Sequence, residues 1–508
     1  MKYSKKIFIF PSPKKRTWSN YMLFAVIHMF LFEGSSFARS SNGKLASFHQ
    51  SSFDSSKINT EFSILHAIER VRQAHPLQEV AKLNSDIGSA YLLNKKGAFD
   101  PYFVLNTREK NFGGKQYYQG TESKLTIPTL SPISAEIGFD EWQGSFTNPE
   151  LNTGTSGQQY VGLNISVLKG LITDQRRTEL RKARLFNEQS QFEQKFMLNQ
   201  TASEIWADYI EWYISYKEME SLRMGVSLTT QRQLALRELF FSGGCNGMDT
   251  LENSIQLNLF KARLKQEELN LLKSRLTMSK HLWNLDNSTK NSRYVPLELG
   301  DSTLPNSVGL NFLDSAFANS LKMSDLLSNV PYLNILESKV NQKELEVKLK
   351  QQDLLPKLDF KFQTLSSGLG STNFDLNNQR FGVSFSTPLF LRKELGNWKL
   401  AKFDFKQMEL EYQFKQNETQ LKIKSLKYQV QNNRELLKQY NAIAQGYREL
   451  YEMEKEKFFN GDGSVFLINT RELRFLDAQI KSIEQEKKYL KSIVEFLNAT
   501  GEIQYSVF

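Results

Sequence analysis

The chain carries one succession of sequence patterns twice, and this internal repeat limits the fold more than any single residue does. One helical pattern opens at His75-Pro76 and runs to Asp100-Pro101, and a second opens at Val330-Pro331 and runs to Leu355-Pro356. Each spans about 25 residues and leads into strand-like alternation, a very long helix, a Gly-rich turn and another long helix. A chain made of two such units is expected to enclose a space between them or to assemble around an axis.

Composition argues against a bundle of membrane-spanning helices and against a nucleic-acid-binding protein. The 508 residues have a hydrophobic content of 40% and a mean hydropathy of -0.47, which is too polar for helices that cross lipid. The net charge is +10, but basic residues alternate with Glu and Gln, as at residues 454–457. That is the pattern of a solvated coiled-coil surface, so we expect no nucleic-acid partner.

The N-terminus resembles a secretory signal. A basic region precedes an apolar run at Tyr21–Phe32 that is too short to span a membrane, and Ser36-Phe37-Ala38 offers small residues for cleavage. We expect a signal peptide over residues 1–38 and a flexible segment over 39–60. The single cysteine, Cys245, cannot form an internal disulfide and is expected to be a free thiol in a turn.

Alternation with a period of two predicts strands that have one apolar and one polar face. It occurs at residues 133–139 and 161–167 in the first repeat, and at 358–362 and 381–385 in the second. The minimal count is four strands, near Pro101, Tyr160, Pro356 and Arg380. The first repeat also has roughly 37 additional residues. We place them between Asn111 and Gln159, as an extra hairpin or an extended surface loop.

Apolar residues of the long helices follow the seven-residue repeat of a coiled coil. From Thr173 to Phe241 the helix would be on the order of 100 Å long. In the first long helix, apolar residues recur at alternating spacings of four and three residues: Leu198, Ala202, Ile205, Tyr209, Trp212, Tyr216 and Met219. The same spacing occurs from Ile423 to Tyr451. A return helix follows each Gly-rich turn, so each pair is expected to form an antiparallel hairpin.

These patterns set the expected domains and fold class. Repeat 1 covers residues 61–286 and repeat 2 covers 312–500, each with a helix, strands and a long helical hairpin. The stretch 287–311, with its Pro and Gly, is the linker, and 501–508 is a short tail. We predict a mainly α fold with β structure, in which coiled-coil hairpins of two repeats each contribute strands to a shared transmembrane β-barrel.

The strand count predicts that several copies of the chain form one barrel together. In lipid only a closed barrel pairs every backbone group of such strands, and single-chain barrels begin at about eight strands. Four strands per chain would therefore have to combine with strands of other copies. A soluble sheet that caps a coiled coil is the alternative.

Motifs of enzyme and cofactor sites are missing from the sequence. The five His show no metal-ligand spacing, and neither a phosphate-binding loop nor a GxSxG nucleophile elbow occurs. We therefore expect no catalytic, cofactor or metal site and no enzymatic activity.

The sequence resembles the TolC family of outer-membrane export channels. The resemblance rests on Leu354–Leu358 entering a strand, Ser386–Phe390 leaving one, the weaker counterpart Val167–Leu171, and two Phe-Phe-x-Gly turns. It implies a homotrimer with a twelve-stranded barrel, four strands per copy, in the outer membrane, and a helical tunnel across the periplasm. It further implies passive conduction in a tripartite efflux or type I secretion-like system, with a periplasmic adaptor and an inner-membrane transporter as partners.

The resemblance also implies two sets of functional residues. The glycines of the helical turns would form tips that contact the adaptor: Gly243, Gly244, Gly461 and Gly463. The family often narrows its tunnel with acidic residues just past the turn, and Asp249 and Glu252 occupy that place in repeat 1, spaced to share a helix face. Repeat 2 has Phe466 and Asn469 there instead. The alternative role for Asp249 is that of a helix N-cap.

Two other functions compete with the channel. A periplasmic adaptor would carry compact β-rich modules and a single helical hairpin, whereas this chain has two hairpin patterns. A secreted coiled-coil scaffold would need no lipid-facing strands. The transported substrate and the partner pump leave no trace in the sequence.

Overall fold

The computed structural model describes residues 61–286, 293–321, 326–370 and 374–503. The expected signal peptide, the segment 39–60 and most of the expected tail lie outside these ranges. Within them the chain is mainly helical and has one large sheet, as the sequence predicts. Among the helices of these ranges, none combines the length and the apolar character that a membrane crossing requires.

The described chain begins with strand β1 (Glu61–Phe62) and helices α1 (Ile64–Ala74) and α2 (Pro76–Lys96). His75 separates the two helices. Its ring accepts a hydrogen bond from the backbone N–H of Leu77 at 3.1 Å, and Pro76 takes the first helical position, where a missing N–H leaves no carbonyl unpaired. The His-Pro pair therefore ends one helix and starts the next.

Four strands follow α2 before the first long helix. They are β2 (Tyr102–Phe112), β3 (Lys115–Pro128), β4 (Ile133–Gln143) and β5 (Gln158–Ser166). The additional residues between Asn111 and Gln159 thus form the hairpin β3–β4, and the surface-loop alternative is wrong. Strands β2 and β5 are two of the four in the minimal count, and the hairpin adds two more, so this half alone contributes four strands to the sheet.

The first long helix, α3 (Gln175–Phe241), has 67 residues and is about 100 Å long at 1.5 Å per residue. The Asp174 carboxylate caps it by accepting the N–H of Arg177 at 2.8 Å. Helix α4 (Gly247–Ser279) returns from the turn and packs against α3.

The stretch expected as a linker has structure of its own where it is described. Strands β6 (Trp283–Asp286) and β7 (Arg293–Pro296) pair antiparallel, and β8 (Leu304–Pro305) pairs parallel with β1. Helix α5 (Asn311–Ser320) follows. The Tyr209 hydroxyl lies 2.8 Å from the carbonyl oxygens of both Phe62 and Asn306, which fixes this stretch to the middle of α3.

The second half continues with helix α6 (Pro331–Gln352) and strands β9 (Lys357–Ser367) and β10 (Gln379–Ser386). It ends with α7 (Arg392–Phe459), of 68 residues, and α8 (Val465–Thr500). Helix α8 packs against α7 and also against α3, so the two halves share one helical core. The largest buried side chains of that core lie on α3 and α8, among them Trp206, Tyr209, Trp212 and Phe496.

The sheet is a six-stranded antiparallel meander in the order β10-β9-β5-β4-β3-β2. Strands β5 and β9 join the two halves of the chain, for example through the pair Val161 and Thr364. Strands β2 and β10 form the two edges of the sheet within the described residues.

Candidate functional site

The first helical tip is closed by glycine hydrogen bonds that end α3. Ser242 is the C-cap, Gly243 follows with a φ of 78°, and its N–H donates to the Phe240 carbonyl at 3.1 Å. The N–H of Gly244 donates to the Leu239 carbonyl at 2.7 Å. This is a Schellman motif, which requires the left-handed conformation that glycine adopts without a steric penalty.

The second tip repeats this geometry. Asn460 is the C-cap, Gly461 has a φ of 85°, and Gly461 and Asp462 donate to the Phe458 and Lys457 carbonyls at 3.2 and 3.0 Å. Gly463 has a different reason to be glycine, because a Cβ there would lie 2.7 Å from the backbone of Phe458. Large apolar side chains are exposed at both tips: Phe241, Met248, Phe459 and Phe466.

Asp249 lies in the first turn of α4 but is not its N-cap. Asn246 takes that position, and its side-chain oxygen accepts the N–H of Asp249 at 2.9 Å. The Asp249 carboxylate in turn accepts the N–H of Asn246 at 3.2 Å, which completes a capping box. The N-cap alternative for Asp249 is therefore wrong by three residues, although the side chain does contribute to the cap. Glu252 lies one turn further along α4 and is half-buried.

Cys245 lies in the same turn as a free thiol, as predicted. Its sulfur is 3.3 Å from the Leu236 carbonyl oxygen. No group of His, Cys, Asp and Glu that could hold a metal ion is found within the described part of the chain.

Between the tips and the main core, a buried polar cluster connects α3 with α8. Arg232 of α3 forms an ion pair with Glu472 and a hydrogen bond with Asn469, both on α8. The Thr229 hydroxyl donates to the Glu472 carboxylate at 3.3 Å. All four side chains are buried. Burial raises the pKa of the Glu472 carboxyl, and the Arg232 guanidinium opposes that rise.

A second acidic group, which is half-buried, lies nearer the middle of α3. Burial raises the pKa of Glu218 to about 7, and the neighbouring carboxylate of Glu267 on α4 adds to the rise. Lys487 of α8 opposes it. Sequence reasoning missed this pair and the Arg232 cluster, because the heptad pattern records only apolar positions.

The sheet reverses the burial pattern of a soluble protein. On one face apolar side chains are exposed: Phe103, Leu105, Ile137, Val161, Leu163, Phe381, Val383 and Phe385, at 40 to 61% of their full area. On the other face polar side chains are buried, with Gln363 exposed by 1% and Glu136 by 7%. In a soluble protein, large apolar side chains are usually buried and charged side chains are usually exposed. The sheet therefore has one exposed apolar face and one partly buried polar face.

Ion pairs and hydrogen bonds run along the polar face across all six strands. Glu136 lies 3.8 Å from Lys124 and 3.4 Å from Lys361, and its carboxylate accepts from the Gln363 amide at 3.4 Å. Arg380 on the edge strand β10 reaches Asp140 on β4 at 3.8 Å. Neighbouring strands are about 4.8 Å apart, so these long side chains connect strands that are not adjacent in the sheet.

The fold is similar to that of solved outer-membrane channels. The outer membrane channel CmeC of Campylobacter jejuni superposes with a TM-score of 0.58 at 15% identity, covering 86% of this chain and 85% of that chain. The outer membrane protein VceC of Vibrio cholerae gives 0.58 at 11% identity, over 86% and 96%. The MtrE outer membrane channel of Neisseria gonorrhoeae in its open state gives 0.58 at 13%, over 86% and 88%.

The family match narrows this class. Residues 323–502 match the family of outer membrane efflux proteins, whereas no curated protein matches the sequence. The match lies over the second half of the chain and agrees with the resemblance to the TolC family.

Proposed function

We propose that the chain is the outer-membrane channel of a tripartite efflux or type I secretion-like system. The exposed apolar face and buried polar face of the sheet carry this proposal. A closed barrel of such strands has its apolar side against lipid and its polar side around water. The channel conducts passively, because energy enters from an inner-membrane transporter that a periplasmic adaptor connects to the helical tips.

Assembly as a homotrimer has separate support in the helices. Helix α7 exposes a stripe of large apolar side chains at heptad spacing: Leu400, Phe403, Leu410, Phe414, Leu421 and Tyr428. Helix α4 exposes another: Leu251, Ile255, Leu269, Leu272 and Leu276. Exposed stripes of this kind are the seams of coiled coils. A second copy of the chain offers the matching stripe, and packing around an axis encloses a tunnel.

The two halves of the chain act as equivalent repeats in this proposal. Helices α3 and α7 have 67 and 68 residues, and α2 and α6 have 21 and 22. At each tip, the long helix ends in the same Schellman motif. The adaptor and scaffold alternatives account less well for the chain, since neither requires an apolar sheet face exposed next to two long hairpins.

Membrane fractionation and gel analysis test the proposal together. The mature chain is expected in the outer-membrane fraction after a urea wash, and as a trimer that resists detergent until it is boiled. Purified trimers should conduct ions in planar bilayers. Recovery from the soluble periplasm without detergent would overturn the membrane location, and a conducting monomer would overturn the trimer.

A further inference from the structure

The hairpin β3–β4 lies within the sheet and not at its margin. It separates β2 from β5, which would otherwise be neighbours, and it pairs with both along its length. One row of paired residues crosses all six strands: Phe103, Leu125, Ile137, Val161, Thr364 and Gln379. Strands β3 and β4 have 14 and 11 residues, which reaches the roughly 9–11 residues that a tilted strand needs to cross a membrane.

Aromatic rings fix the hairpin in this position. A Cβ on Gly120 of β3 would lie 2.2 Å from the Trp142 ring of β4, and a Cβ on Gly138 of β4 would lie 2.3 Å from the Tyr160 ring of β5. Both rings therefore lie directly over a neighbouring strand where only glycine leaves room. The contact of Tyr160 with Gly138 attaches the hairpin to a strand outside it.

The two faces of the sheet also continue through the hairpin without a change of character. Leu125 and Ile137 extend the apolar face, and Glu136 pairs with a lysine of the second half, Lys361, at 3.4 Å on the polar face. A flap lying outside a barrel would not need a carboxylate buried on the polar face. The hairpin thus has the chemistry of barrel wall on both faces.

We propose that three copies of this chain close a barrel of eighteen strands, six from each copy, and not the twelve that the family resemblance implies. This rests on the trimeric channel proposed above. The partner surface is the β2 edge of a second copy, which receives the β10 edge of the first. Strand β2 leads away from the helices and β10 leads back to them, so the two edges meet antiparallel, as closure requires.

The additional hairpin enlarges the diameter of the barrel. Barrel diameter grows roughly linearly with strand number, so eighteen strands give a diameter about 1.5 times that of twelve. The lumen also gains three copies of the charged groups of the hairpin: Glu122, Lys124, Glu136 and Asp140.

Electron microscopy of purified trimers in detergent tests the barrel size. The matched variant lacks residues 115–143, which removes both strands of the hairpin and leaves the loops that connect β2 to β5. We expect eighteen strands in the wild type and a barrel diameter about 1.5 times that of the variant. Equal diameters, with the hairpin as separate density outside a twelve-stranded wall, would overturn the proposal.

Cysteine cross-linking in the full-length chain gives a second test that does not depend on the deletion variant folding. In a Cys245→Ser background, Ile137→Cys with Val161→Cys should form a disulfide on oxidation, because these residues pair across β4 and β5. Phe103→Cys with Val161→Cys should not, because about 14 Å of sheet separates β2 from β5 and a disulfide needs Cα atoms within about 7 Å.

The proposed position of the hairpin between β2 and β5 would be overturned if the first cysteine pair failed to cross-link. It would also be overturned if the second pair did cross-link. Trimer formation and membrane fraction are scored on the same samples. Monomers with the expected cross-link would refute the proposed assembly, and with it the count of eighteen, while leaving the position of the hairpin established.

Discussion

At the scale of single residues, Asp249 combines a structural role with a negative charge. Its carboxylate accepts the backbone N–H of Asn246 and so helps to start α4. An asparagine at 249 keeps an acceptor oxygen for that bond but carries no charge. Replacing Asn246 by alanine does the reverse, since it removes the cap and leaves both acidic side chains in place. The two roles can therefore be separated experimentally.

We predict that the double variant Asp249→Asn with Glu252→Gln has a weaker cation preference and a higher resting conductance than the wild type. Three copies of each carboxylate near the narrow end would repel one another and attract cations. Reversal potentials and single-channel conductance in planar bilayers measure both effects. The control, Asn246→Ala, should lose roughly 1 kcal/mol of helix stability and keep its selectivity. Unchanged selectivity in the double variant would leave these residues with a capping role alone.

Glu218 is predicted to make stability depend on pH. Its folded-state pKa, about 7, lies above its ordinary value of 4.5, so the folded protein holds this proton more tightly than the unfolded chain does. Its contribution to stability is fully present below pH 4.5 and is lost as the pH rises through 7. Glu218→Gln should therefore raise the thermal midpoint at pH 8, by roughly 2 °C, and change it little at pH 4.5.

Glu220→Gln, two residues further along α3 and exposed, is the control for this measurement and should leave the pH profile unchanged. Equal effects of Glu218→Gln at pH 4.5 and pH 8 would show that Glu218 titrates normally.

At the scale of elements, the ion pair of Arg232 and Glu472 connects α3 to α8. Arg232→Met should be strongly destabilising, by roughly 3–5 kcal/mol, because it leaves a buried carboxylate without its partner. The double variant Arg232→Met with Glu472→Met should recover much of that loss, since no charge then remains buried. Urea unfolding of purified trimers measures both. A single variant as stable as the wild type would mean that Glu472 is neutral or reached by water.

The exposed stripe of α7 is predicted to hold copies together. Phe414→Glu places a charge in the middle of the stripe and should shift trimers toward monomers, because a carboxylate at a packed seam is costly to desolvate. Gln420→Glu adds the same charge at an exposed position about a third of a turn around the helix from Phe414 and should leave trimers intact. Gels of unboiled samples compare the two. Equal trimer yields would place the contact between copies elsewhere.

The sequence predicted elements best where a pattern is long and local. The helices α3 and α7 and the turns at Gly243 and Gly461 follow from heptads and from glycine, both of which are visible in a short window. The sequence left the residues from Asn111 to Gln159 undecided between an extra hairpin and a surface loop, because they mix small polar residues with short apolar runs. Their strand pairing depends on Trp142 over Gly120 and Tyr160 over Gly138, which are contacts between strands that no single window contains. The Arg232 cluster was missed for the same reason.

At the scale of the whole molecule, the two tips are predicted to contact the adaptor, because they end the helices farthest from the sheet and expose apolar side chains. Gly243→Trp with Gly461→Trp should block export while trimers persist. Gly243→Asn with Gly461→Asn is the control, since asparagine tolerates the positive φ of these positions and adds little bulk. Export assays and pull-down with the adaptor measure the result. Normal export in the tryptophan variant would show that the adaptor binds another surface.

The hairpin β3–β4 also bears on how a channel of this kind can change over evolutionary time. Inserting one strand would reverse the direction of every strand after it and send α3 to the wrong side of the membrane. Inserting a hairpin leaves all later directions unchanged. The barrel wall can therefore grow by two strands in each copy of the chain through a single insertion. The long helices, their caps and their tips meanwhile keep the sequences that their partners recognise.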